Sequence, residues 1–182
     1  MLAWNWLQVM HERARLVVTR RMYRAVAASE VRAALPLPVV FVPDLAGLPH
    51  GRRLLSPLWP GLEFVLFAGA LPRLRRALAQ EHCQHLFGML GGDAWGLLKV
   101  WALAAFCRLP FDVYLVEDLA TWAVLYRRPL LAAAVRRWEP ALLRRARRVY
   151  VISEGYVEHL WASYRLPAVW LPVAVPQPEV AY

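Results

Sequence analysis

Apolar residues fall along the chain in two alternating kinds of run. Short blocks rich in β-branched and aromatic residues lie at 16–19, 39–42, 85–89, 112–116, 149–152 and 168–171. Between them, longer stretches with helical spacing cover 21–34, 62–80, 94–108, 130–148 and 154–164, with a short helical turn at 120–126. Strands alternating with helices long enough to cross over predict βαβ units. Short, mostly apolar blocks suit strands buried in a parallel sheet. The pattern therefore predicts an α/β, Rossmann-like fold, a largely parallel sheet with helices on both faces.

Within that pattern, Pro140 should break or kink the helix at 130–148, because proline lacks the amide and crowds the preceding turn. The helix at 94–108 carries charge only at Lys99 and Arg108, so it should be covered by other elements. Residues 44–60, with Pro, Gly, Ser and the basic pair Arg52 and Arg53, read as a long loop. The organisation expected is one lobe over 1–172 and a proline-rich linker over 173–182.

A chain of 182 residues fits one α/β domain. With 59% hydrophobic and 19% charged residues it can bury a core, which excludes a natively disordered tail. The formal charge of +9 favours anionic partners. Every basic residue but Lys99 is arginine, and Ile152 and Asn5 are the lone members of their types, as a GC-rich genome would produce. Part of the positive charge then reflects codon supply.

Mean hydropathy of +0.35 raises the question of membrane spans. The apolar window 33–51 is interrupted by Asp44 and several prolines, and 94–107 carries Lys99 and falls short of the roughly 20 residues a bilayer needs. Residues 1–7 lack a basic segment and cleavage site, so the expected location is cytoplasmic, peripheral at most on the inner face of the membrane. Cys83 and Cys107 have no repeated spacing, which argues against a disulfide framework or zinc ribbon. His82, Cys83 and His85 have no second ligand group at metal spacing, and no metal or cofactor is expected.

In doubly wound sheets, ligands gather at the carboxyl ends of the strands. Three groups fall there. Gly91, Gly92 and Asp93 precede a helix whose amides could receive a phosphate, although a tight turn capped by Asp93 is the simpler reading. Glu117 and Asp118 follow the block 112–116; the pair could orient an acceptor hydroxyl or act as general base, or Asp118 could cap the next helical turn. Ser153 and Glu154 open the helix 154–164, where Ser153 is a natural cap that could also face a cleft. The basic run Arg136, Arg137, Arg144, Arg145, Arg147 and Arg148, studded with Trp138, is either a solvated face or a surface for an anionic membrane. No stacking signature accompanies it, so nucleic acid is not an expected partner.

The stretch LPFDVYLVED, residues 109–118, is similar to the strand ending in a His-Asp or Asp-Asp pair in family 4 (group 1) glycosyltransferases of the GT-B type. EPALLRRARRVYVISE, residues 139–154, resembles their helix and strand closing on a Ser-Glu signature, and YRLPAVWLP, residues 164–172, resembles the last strand before their interlobe linker. The resemblance covers about 85–172. Two departures stand out: Val173 and Ala174 replace the usual Asn-Gly, and no glycine precedes Gly47 to form an early glycine-rich loop.

The resemblance implies an acceptor-side lobe of a sugar transferase, acting on a cell-envelope glycan or lipid acceptor with Glu117 and Asp118 at the reacting end. It also implies a nucleotide-sugar donor held by a second lobe that lies outside these residues, and no transfer by this chain alone. The residues themselves leave open a non-catalytic Rossmann-like module for a phosphorylated ligand or protein, and a peripheral membrane protein acting through its basic helix.

Overall fold

The computed structural model describes residues 16–19, 39–42, 59–90, 95–125 and 129–171. Strands β1 (Leu16–Thr19) and β2 (Val39–Val42) pair in parallel as a two-stranded sheet. Helix α1 (Trp59–Gln80) follows. Then come β3 (Leu86–Leu90), α2 (Gly96–Cys107), β4 (Phe111–Leu115), α3 (Leu119–Leu125), α4 (Pro129–Leu143), β5 (Arg148–Val151), α5 (Glu154–Tyr164) and β6 (Val169–Trp170). Strands β3, β4, β5 and β6 form a second sheet in chain order, every pair parallel. The protein is α/β with a Rossmann-like parallel sheet. The expected helix at 21–34, most of the expected loop at 44–60 and the segment 172–182 lie outside the described residues.

Strand register divides the four-stranded sheet into two faces, because side chains alternate and opposite partners share a side. One face carries Leu86, Gly88 and Leu90 of β3, Phe111, Val113 and Leu115 of β4, and Val149 and Val151 of β5. Against it gather Leu97 and Ala104 of α2, Leu119 and Ala120 of α3, Val135 and Leu143 of α4 and Leu160 of α5, in one buried cluster. The described crossover helices α2 to α5 thus all pack on this face. At Gly88 the strand comes close to α2: a Cβ there would lie 2.7 Å from Val100 Cγ2 and 2.9 Å from Cγ1. A side chain would force β3 and α2 apart.

Helix α2 is covered as its apolar circumference predicts, with α1 on its other side through Phe67, Leu74, Leu78 and Leu103. Both α2 and α5 end on an arginine in the left-handed region, Arg108 at φ 57° and Arg165 at φ 53°. Leu-Pro follows each arginine, and the amides of Leu109 and Leu166 return to Ala104 O and Leu160 O. That bond pattern satisfies carbonyls the last turn would otherwise leave open, and the proline prevents further helix.

Pro140 does not break its helix, which continues to Leu143. The helix is nevertheless shorter than its expected span to 148. Amides of Arg145 and Ala146 bond back three residues, to Leu142 O and Leu143 O, and Arg147 N donates to Phe111 O at 2.8 Å. The tightened turn hands the chain to β5, so the pull of the sheet overrides the helical periodicity of the arginines. No described helix is long and apolar enough to cross a membrane.

Candidate functional site

Parallel neighbours β4 and β5 end at the same edge of the sheet, with Leu115 paired to Val151. The segments after them, Glu117 with Asp118 and Ser153 with Glu154, therefore leave side by side. Tyr156 joins the two, its hydroxyl donating to Glu117 O at 3.1 Å. Strand β3 ends at this edge too, with Leu90 paired to Leu115, but Gly91, Gly92 and Asp93 lie outside the described residues.

Capping fixes both segments. Ser153 has an extended backbone, φ −141° and ψ 154°, and its Oγ accepts from Tyr156 N at 3.3 Å, starting α5. Glu154 supplies negative charge to that first turn, where the helix dipole favours it. Asp118 Oδ1 accepts from Ala120 N at 2.9 Å and Thr121 N at 3.1 Å, starting α3. Its other oxygen, Oδ2, accepts from the Thr121 hydroxyl at 2.9 Å and lies 3.3 Å from His159 Nε2. Asp118 is thus spent on positioning, and Glu117 is the exposed carboxylate of the pair.

Behind this edge lies a group that sequence reasoning missed. Glu139 of α4 is 1% exposed, the one charged residue buried among the described residues. The Tyr164 hydroxyl donates to its Oε2 at 3.3 Å, while Oε1 is buried without a hydrogen-bond partner among the described residues. Burial first, then repulsion from Asp118, pushes the Glu139 carboxyl up to about 7, with the Tyr164 hydrogen bond pulling slightly the other way. Burial and the same two carboxylates push the Tyr164 hydroxyl up to about 12 and raise Tyr156 further still. Tyr156, His159 and Tyr164 of α5 thus face Asp118 and Glu139 across the crossover. The sequence signal was modest: a glutamate just inside the apolar face of α4, beside Pro140.

Chemically, the arrangement offers one solvated carboxylate at Glu117 and a part-exposed imidazole at His159. With Nε2 turned to Asp118, Nδ1 is the nitrogen that can take a proton. Among the described residues no group of three His, Cys, Asp or Glu side chains could hold a metal ion. His85 Nε2 approaches Asp112 Oδ2 at 3.1 Å, a charge contact without hydrogen-bond alignment, on the strand face opposite the helices. Cys83 and Cys107 are not joined by a disulfide, and burial raises the Cys107 thiol.

The arginine run is divided by the fold. Arg136 and Arg137 lie exposed on α4, Arg144 and Arg145 occupy the turn after it, and Arg148 belongs to β5, so they do not share one helical face. Arg144 donates to Tyr164 O at 2.9 Å, and the Arg145 guanidinium lies 5.4 Å over the Trp101 ring. Trp138, expected to support membrane contact, is half-buried and packs against the core; the cause is its place on the inward stripe of α4, next to Glu139.

Comparison with family models, with curated proteins and with solved structures finds no match to this chain.

Proposed function

We propose that the chain is the acceptor-binding lobe of a GT-B type glycosyltransferase, transferring a sugar from a nucleotide-sugar donor to a cell-envelope glycan or lipid. One observation carries the reading: two adjacent parallel strands deliver Glu117-Asp118 and Ser153-Glu154 to a single edge, bridged by Tyr156. Open α/β sheets receive ligands outside the carboxyl ends of their strands, the end at which both segments lie, and the two segments are those that carry the family resemblance. In this reading Glu117 accepts hydrogen bonds from acceptor hydroxyls. Asp118 holds the start of α3 and turns His159, whose free nitrogen takes the proton from the attacking hydroxyl. The donor is held by a second lobe, and much of the rate comes from bringing donor and acceptor together.

Incubation of the chain with nucleotide sugars and envelope acceptors should therefore give no glycosylated product, while calorimetry should detect acceptor binding that Glu117→Gln weakens. Turnover by the chain alone would overturn the division of labour between lobes. Absence of acceptor binding, or binding indifferent to Glu117→Gln, would overturn the acceptor site.

A further inference from the structure

Helix α1 presents an unusual outward stripe. Leu62, Val65 and Leu66 are exposed, Val65 to 64%, where an amphipathic helix would normally be polar. At 3.6 residues per turn, Arg73 and Arg76 fall in the same angular sector two and three turns on, and both are exposed. Neither arginine has an ion pair among the described residues. The other charges of the helix are committed elsewhere: Glu63 lies 3.8 Å from Lys99 Nζ, and Arg75 sits 5.8 Å over the Phe106 ring. The opposite face, through Phe67, Leu74 and Leu78, is buried against α2. One face of α1 is thus anchored in the fold, and the other is apolar in its first half and carries Arg73 and Arg76 as its charges in its second.

We propose that this stripe is the surface by which the protein rests on an anionic lipid bilayer. Exposed leucine and valine gain by entering the boundary between headgroups and acyl chains, and each arginine gains from anionic headgroups within a screening distance of about 8 Å. The segregation along the axis sets the pose: α1 lies tilted, its N-terminal half deeper and Arg73 and Arg76 at headgroup level. Charge complementarity selects this occupant over a second copy. Two such helices overlapped in parallel would oppose arginine to arginine, and overlapped antiparallel would set arginine against leucine and valine. The proposal does not depend on sugar transfer, and it moves the lipid contact from the arginines around α4 to α1.

The test is co-sedimentation of the full chain with phosphatidylcholine vesicles, with and without phosphatidylglycerol. Binding should require the anionic lipid and weaken with added salt. Arg73→Gln with Arg76→Gln should weaken it roughly thirty-fold, taking the usual contribution of a basic residue at such a surface. Leu62→Ser with Val65→Ser should also release the protein, and both pairs are exposed, so circular dichroism should show the wild-type fold. Arg136→Gln with Arg137→Gln should leave binding unchanged. No sedimentation, equal sedimentation with neutral vesicles, α1 variants that bind as wild type, or a stripe whose substitution dissolves a homodimer without any lipid binding would each overturn the proposal.

Discussion

The two flanks of the sheet, β3–α2–β4 and β5–α5–β6, use the same Arg-Leu-Pro stop yet are built for different ends. Helix α2 meets the sheet through apolar contacts, close enough that Gly88 has no room for a methyl group beside Val100. Helix α5 meets the α3–α4 crossover through polar groups: His159 to Asp118, Tyr164 to Glu139 and Tyr156 to Glu117 O. A buried, half-satisfied carboxylate costs stability that an apolar residue of the same size would not. The contrast teaches that, among the described residues, apolar packing dominates between β3 and α2 and polar groups gather where β4 and β5 end.

Glu139 gives the largest lever on that contrast. Its carboxyl is raised from the ordinary 4.5 to about 7, so the folded chain holds its proton over a range where the unfolded chain has released it. Stability from this group is complete below about 4.5, declines as pH rises toward 7 and levels off above. The fall is about 3 kcal/mol, from the linkage between protonation and folding. Urea unfolding across this pH range should show it, and Glu139→Gln should flatten it. An unchanged pH profile in the variant would remove Glu139 from the account.

On the β3 flank, Gly88→Ala should destabilise by about 1–3 kcal/mol with no dependence on pH, since it overpacks the contact with Val100. A neutral effect would mean that α2 yields and that the two flanks are not different in kind. Asp118→Ala should cost about 1 kcal/mol through the lost cap of α3. It should also free the His159 ring, read as a change in its imidazole chemical shifts by NMR. The smallest effect belongs to the shared stop: Arg108→Gly and Arg165→Gly should each stabilise by about 0.5–1 kcal/mol, as glycine enters the left-handed region without strain. Equal gains at both would confirm that the two flanks share their ends and differ only in their interiors.

Apolar patterning made the sheet legible to within a residue: the blocks at 16–19 and 39–42 are strands as read, and the other four are offset by one residue at both ends. Short apolar blocks between helices admit little else. Helix ends were less legible, because Arg144 to Arg148 continue a helical pattern until Arg147 bonds to Phe111 O, a contact made by distant residues. The carboxyl-edge position of Glu117, Asp118, Ser153 and Glu154 followed from strand order, and so did the caps. Glu139, Tyr156, His159 and Tyr164 were not legible. Their meeting depends on how α4 and α5 face each other across the crossover, and no spacing along the chain encodes that. The half-burial of Trp138 was not legible for the same reason, since a tryptophan among arginines suggests a surface until its side of the helix is known.

The claim that acceptor binding occurs where β4 and β5 end is tested most directly by amide chemical-shift mapping of the chain during titration with soluble envelope-type acceptor glycans. The account predicts that shifts concentrate at Glu117, Asp118, Ser153, Glu154 and the first turn of α5, with α2 and the Gly88 contact unmoved. Shifts centred on the opposite end of the strands, around Arg108 to Phe111 and Arg147, or no shifts with any acceptor, would contradict it.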